Sequence, residues 1–186
     1  MKKTMLIAIL CCALPVVLIV LFSTFAGKRT DRPTPSVTSL QNNQSIGVQV
    51  GNMAPDFSFQ TIKGETVSLS SLKGQSVLFA FALTEGCAAC IIEAINVREA
   101  QQQVPFTVVQ LAISPYETVE SLQYFQNEYG APDWLVGFDK DYKISNQYQV
   151  KSADTTYIVD ANGKIIYRDD GDAAEIETIV NVLKKL

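Results

Sequence analysis

Histidine is absent from this 186-residue sequence. That absence removes imidazole acid–base catalysis, His-activated nucleophiles and every metal site that needs an imidazole ligand. Cysteine is scarce. There are four, and two of them, Cys11 and Cys12, lie in an apolar leader. Cys87 and Cys90 are left for the rest of the chain, too few for a closed four-ligand zinc site, and no metal or cofactor is expected. Positive charge is short where nucleic acid would require it. Residues 50–186 hold ten Lys and Arg against eighteen Asp and Glu. No basic surface is available to meet a phosphate backbone, so nucleic acid is excluded as a partner. No internal repeat is present.

What the sequence does contain begins with an uncharged stretch from Met5 to Ala26, flanked by Lys2, Lys3, Lys28 and Arg29. It reaches the roughly 20 apolar residues that span a bilayer and exceeds the roughly 7–15 of a cleaved leader's apolar region. Residues 1–27 are therefore expected to anchor the chain in the cell membrane, with the bulk of it outside the cytoplasm. Ala26 offers a signal peptidase an alternative place to cut. Cys11 and Cys12 are expected to be unreactive thiols within the membrane, because Ile9 and Leu10 are not the small residues that a lipoprotein site needs. Residues 28–49, "KRTDRPTPSVTSLQNNQSIGVQ", are rich in Ser, Thr, Gln, Asn and Pro and read as a flexible tether. The folded domain is expected over residues 50–186.

Within it, apolar–polar alternation on either side of Lys63-Gly64 predicts a β-hairpin. "SVLFAFAL", 76–83, is nearly continuous in apolar residues and short enough for a buried central strand. "AACIIEAINVREAQQQ", 88–103, predicts a helix ending before Pro105, and "FTVVQLAIS", 106–114, a second buried strand. A helix opened by Ser114-Pro115 and closed by Gly130 follows. After it come a short strand or extended loop at 134–139 and a short amphipathic helix. "TTYIVD", Asn162-Gly163 and "KIIYRDD" predict a hairpin with a type I′ turn. A final helix carries acids early and Lys184 and Lys185 late. Strand–helix–strand crossovers make neighbouring strands parallel, and the last hairpin adds an antiparallel pair. The fold class is α/β, a mixed central sheet flanked by helices.

"TEGCAAC", 84–90, is where chemistry concentrates. Cys87 follows a buried strand at the first turn of a helix, where free N–H groups and the helix dipole lower a thiol pKa. Cys90 lies nearly one turn on, along the same face. This spacing allows Cys87 to attack a disulfide and Cys90 to resolve the mixed disulfide. A metal clip and a pair of inert buried thiols remain as other readings at this point.

"GNMAPDFSFQTIKGETVSLSSLKGQSVLFAFALTEGCAAC" resembles the opening of the thioredoxin-like TlpA/ResA and peroxiredoxin (redoxin) superfamily, and "ISNQYQVKSADTTYIVDANGKIIYR" resembles its later segment. The likeness covers nearly all of 50–186. It implies a thioredoxin fold, a Cys87–Cys90 redox disulfide, Cys87 as nucleophile and Cys90 as resolving residue. It also implies protein thiols or disulfides as substrates and a redox partner protein. Thr84, Glu85, Gly86, Asp154 and Thr155 are the candidates for residues near the site. Three departures stand out. Gly86 replaces the family's Trp before the first cysteine. Phe81 occupies the position of a buried acid or amide, so no proton relay is expected from there. Asp154 replaces the cis-proline, and since a cis bond before a non-proline residue costs about 2.5–4 kcal/mol, a trans loop is expected. A Thr three residues before the reactive cysteine is also a peroxiredoxin feature, matched by Thr84, but Ala80 stands where that signature has Pro. Copper chaperones of this superfamily need a histidine ligand, and here only Asp154 could substitute.

The expected function is that of a membrane-anchored thiol–disulfide oxidoreductase acting outside the cytoplasm. A thiol peroxidase is the alternative enzyme. A thioredoxin-fold binding module without catalysis is the alternative of another class.

Overall fold

The structure is a computed structural model that describes residues 45–186. The expected anchor and most of the expected tether lie outside the described residues, as do Cys11 and Cys12. Among the described residues no helix is long and apolar enough to cross a membrane.

Elements follow in the order β1 (Ser58–Gln60), β2 (Thr66–Ser68), a 3₁₀ turn (Leu69–Leu72), β3 (Val77–Ala82), α1 (Ala88–Gln101) and β4 (Thr107–Ala112). Next are α2 (Val119–Glu128), β5 (Leu135–Phe138), α3 (Lys143–Gln147), β6 (Thr155–Val159), β7 (Ile165–Asp170) and α4 (Ile176–Leu183). β3 is apolar and buried at every position, as a strand covered on both faces must be. It is the centre of a five-stranded sheet ordered β5-β4-β3-β6-β7. β3 pairs in parallel with β4, and β4 with β5, while β6 and β7 run antiparallel. The mixed sheet is thus the one expected, and the segment at 134–139 resolves into a strand.

Alternation along β3 sorts its side chains onto two cores. Leu78, Ala80 and Ala82 face Cys90, Ala94 and Val97 of α1, with Leu122 and Phe125 of α2 and Ile179 of α4 in the same cluster. Val77, Phe79 and Phe81 face an aromatic cluster with Phe57, Tyr148 and Tyr157. There Phe79 stacks on Tyr157 with ring centroids 5.0 Å apart and meets Tyr148 edge-on at 5.0 Å. The small side chains of Ala80 and Ala82 let α1 lie close over β3, which sets the depth at which α1 carries its cysteines.

The β1–β2 hairpin forms a separate two-stranded sheet, attached to the main one by a bridge between Thr61 and Gly137 of β5. Three local expectations are corrected. The final hairpin does not use a type I′ turn, which needs positive φ at both central residues. Only Gly163 of the Asn162-Gly163 pair has positive φ. The Asp160 carboxylate accepts the N–H groups of Asn162 and Lys164, both at 2.9 Å, and this side-chain bonding selects a longer loop. Helix α2 does not open at Ser114-Pro115. Thr118 caps it in a box with Ser121, leaving 114–117 as a loop. Residues 45–49, expected in the tether, pack on the domain. Val48 is buried, its carbonyl accepts from Arg168 Nη1 at 3.1 Å, the Gly47 N–H donates to the Met53 carbonyl at 3.0 Å, and the Met53 N–H donates to the Ser45 carbonyl at 2.9 Å.

Gly137 lies where the hairpin meets the main sheet. A methyl group there would lie 2.5 Å from the Gln60 carbonyl oxygen and overlap the Phe59 ring. Gly137→Ala should therefore cost about 1–3 kcal/mol as overpacking does, read as a lowered midpoint in urea unfolding. An unchanged midpoint would show that the hairpin yields freely.

Candidate active site

β3 runs straight into the loop that delivers Cys87. Cys87 is the N-cap of α1, with extended φ and ψ of −117° and 90°, and its Sγ accepts the Cys90 N–H at 3.1 Å. Cys87 and Cys90 are joined by a disulfide, their Cα atoms 5.3 Å apart. Cys87 is partly exposed, whereas Cys90 is 2% exposed and belongs to the core. The two sulfurs are therefore inequivalent. One can be reached from outside at a helix N-terminus, where a thiolate is stabilised, and the other cannot.

The preceding loop explains Gly86. Its φ is +73°, a left-handed conformation that disfavours side chains, and the space around it is open. Glu85 is exposed. Thr84 is held from across the β4–α2 loop. Glu117, 7% exposed, accepts its N–H at 2.8 Å and also its hydroxyl, and takes a third bond from Ser121 Oγ at 2.8 Å. The Thr84 hydroxyl thus points to a carboxylate rather than to Cys87. Glu117 was not legible as a site residue because nothing in its local sequence links it to residue 84.

Asp154 sits at the same end of the sheet, and its N–H donates to the Phe81 carbonyl at 2.7 Å. No cis peptide occurs among the described residues, and Asp154 adopts φ +67°. Proline, confined to φ near −65°, does not fit this conformation. The carboxyl group is buried and accepts from Ser152 Oγ at 3.3 Å. Burial pushes its pKa up, with Asp169 and Asp172 adding repulsion against the Ser152 bond. Thr155, fully buried, donates to the Ser152 carbonyl at 2.7 Å. Asp154 and Thr155 thus hold the turn into β6, and the described bonds do not join them to the cysteines.

The residue that sequence reasoning missed is Glu93. It lies on the inward stripe of α1 with Cys90, Ala94 and Val97, and it is only 2% exposed. Its carboxyl accepts a bond from the Thr156 hydroxyl of β6. Burial is the main cause that pushes its pKa up to about 8; the Thr156 bond opposes this, and Asp154 and Asp169 add to it. Glu93 and Cys90 line the same small cavity between α1 and the sheet. Phe81 supplies no buried acid, as expected, and its ring faces the other core. The acid arrives from α1 instead. Its signal was present in the spacing, since position 93 is one turn after Cys90. Among the described residues no group of three or more Cys, Asp or Glu is placed to hold a metal.

Comparison with known proteins adds family to geometry. Residues 50–168 match the model of the AhpC/TSA family. The chain belongs to the AhpC/TSA family. It is 32% identical over 149 residues to a Coxiella burnetii protein whose name places it with the peroxiredoxins, covering 70% of this chain and 97% of that one. It is 29% identical over 140 residues to the thiol–disulfide oxidoreductase ResA of Bacillus thuringiensis, covering 75% and 79%. A thioredoxin-like protein from Aeropyrum pernix shares the fold, with a TM-score of 0.63 at 22% identity over 70% of this chain and 89% of the other. Within the AhpC/TSA family the chain is of the TlpA/ResA type, and its enzyme class is thiol–disulfide oxidoreductase.

Glu93 gives the pH dependence a sign. Its folded pKa, about 8, lies above the ordinary 4.5. Between those values the folded state keeps a proton that the unfolded state releases, so stability falls as pH rises through the window. Glu93→Gln should remove that slope in the oxidised protein. It should stabilise the domain at pH 8 by about 2–4 kcal/mol, with little effect near pH 4.5. Denaturant unfolding across pH checks this, and parallel curves for both proteins would contradict it.

Proposed function

We propose that this enzyme exchanges disulfides with cysteines of other proteins outside the cytoplasm, held at the membrane through residues 5–26. The observation that carries the reading is the asymmetric Cys87–Cys90 disulfide at the start of α1 above a buried acid. The uncharged stretch from Met5 to Ala26 supports the membrane location.

In the reducing direction, the Cys87 thiolate attacks one sulfur of a substrate disulfide. A mixed disulfide forms, and one substrate thiolate leaves. Cys90 then attacks Cys87 Sγ, which breaks the mixed disulfide, closes the Cys87–Cys90 bond and frees the second substrate thiolate. Two electrons pass to the substrate. Glu93 holds a proton in the oxidised protein, so it can give that proton to the Cys90 thiolate when the pair is reset. The carboxylate left behind can take it back when Cys90 attacks, and a pKa of about 8 lies close enough to a thiol's ordinary value of about 8.5 for either transfer to cost little. Gly86 in place of an aromatic residue leaves the approach to Cys87 open. A redox partner protein resets the pair, and the reversed steps serve an oxidant.

A thiol peroxidase is the second reading, favoured by the Coxiella relative's name and by Thr84 three residues before Cys87. The bonding of Thr84 to Glu117 counts against it, because that hydroxyl is engaged away from Cys87. Consumption of peroxide with a thiol reductant separates the two.

Limited alkylation of the reduced protein should label Cys87 first, and Cys90→Ser should accumulate a mixed disulfide with a substrate protein through Cys87. Preferential labelling of Cys90, or trapping by Cys87→Ser instead, would reverse the roles.

A further inference from the structure

One buried polar atom remains outside this scheme. Gln110 lies in β4, between Ala80 of β3 and Val136 of β5. It is 5% exposed, and its Oε1 is buried with no hydrogen-bond partner among the described residues. Alternation along β4 places it with Val108 and Ala112 on the α1 side, away from Val109 and Leu111. There it lines the cavity that Cys90 and Glu93 also line, a space of about 10 Å³, the size of a single water-sized sphere. An unpaired buried acceptor is costly, and a leucine would satisfy this strand better in the oxidised state.

The other polar groups around the cavity have partners for the bonds described, apart from the proton that Glu93 holds. Glu93 accepts from Thr156, and Trp134 Nε1 donates to Gln101 Oε1 at 2.8 Å. Cys90 differs, because its hydrogen-bonding capacity changes with redox state. In the disulfide its Sγ is bonded to Cys87 and carries no hydrogen, whereas a thiol is a donor.

We propose that Gln110 tunes the Cys87–Cys90 couple by accepting the Sγ–H of Cys90 that reduction creates, directly or across one water in the shared cavity. The proposal rests on the oxidoreductase reading. Reduction of the disulfide by a dithiol partner delivers two electrons and two protons. The S–S bond breaks, one proton ends on Cys90 and the other on Cys87, or in the solvent where Cys87 stays a thiolate, and the partner leaves as its disulfide. No bond to Gln110 is made or broken apart from the hydrogen bond. The amide oxygen of Gln110, which has two lone pairs, therefore gains on reduction a donor that the disulfide does not offer, and it favours reduction. It is a positioning residue, and it does not touch the substrate.

The test measures the equilibrium of the full chain with dithiothreitol or glutathione buffers for wild type, Gln110→Leu and Gln110→Met, both variants near the original volume. The apolar side chains should lower the equilibrium constant for reduction about tenfold, which is about 30 mV more negative for a two-electron couple. The reduced form of each variant should lose thermal stability relative to its oxidised form. A role in packing alone would move both forms together and leave the equilibrium within twofold of wild type, and that result overturns the proposal. Should neither variant fold, the infrared S–H stretch of reduced wild type decides, with Cys90→Ser assigning the band. A frequency lowered as in a bonded thiol supports the proposal, and a free-thiol frequency overturns it. A wild-type pair that does not reduce reversibly would instead remove the oxidoreductase reading, whereas a reversible pair indifferent to Gln110 removes this inference alone.

Discussion

A carboxyl group sealed between helix α1 and strand β6, bonded to the Thr156 hydroxyl, sets the terms for the rest of this active end. A carboxylate kept from water is costly, so Glu93 holds a proton well above the usual carboxylate range. That proton store is placed one helical turn beyond Cys90, the sulfur that solvent does not reach. Burying Cys90 makes a local acid–base partner necessary, because water cannot collect its proton. The small Ala80 and Ala82 side chains, which let α1 lie low over β3, bring both groups to that depth.

The outer half of the site follows the opposite rule. Cys87 needs access and a stabilised charge, and it has both as the N-cap of α1. Its approach loop carries little side-chain bulk, with Gly86 in the left-handed region. That loop is nevertheless pinned, since Glu117 takes three bonds from Thr84 and Ser121. Charged groups bonded in this way anchor loops better than neutral ones do. An accessible thiol on a fixed loop and a hidden thiol beside a proton store divide the labour of disulfide exchange.

Much of this was legible in the sequence where one physical signal dominated. The unbroken apolar run at 77–82 left only a central strand, and the crossovers then required a mixed sheet. Cys87 at a strand end before a helix carried its own chemistry. What was less legible depended on competition between local signals or on distant partners. Asn162-Gly163 suggests a two-residue turn, but the Asp160 carboxylate outcompetes it. Ser114-Pro115 suggests a helix start, but the box formed by Thr118 and Ser121 satisfies more donors. Val48 lies in a polar stretch and shows its worth only against the sheet. Glu93 reads as an ordinary solvent-facing helix acid until its phase with Cys90 and Val97 is counted. Glu117 depends on Thr84, 33 positions away, and Gln110 on Cys90 of a different element, and both lie beyond any local pattern.

The central claim is that a protonated carboxyl group lies beneath the disulfide at neutral pH. Carbon-13 NMR of the side-chain carboxyl of Glu93, assigned by comparison with Glu93→Gln, reads that protonation state directly in the oxidised protein. The account predicts a titration midpoint near 8, with the shift of a neutral acid retained through pH 7. A midpoint near the ordinary 4.5 would show a carboxylate already ionised and open to water, and the proton store beneath Cys90 would not exist.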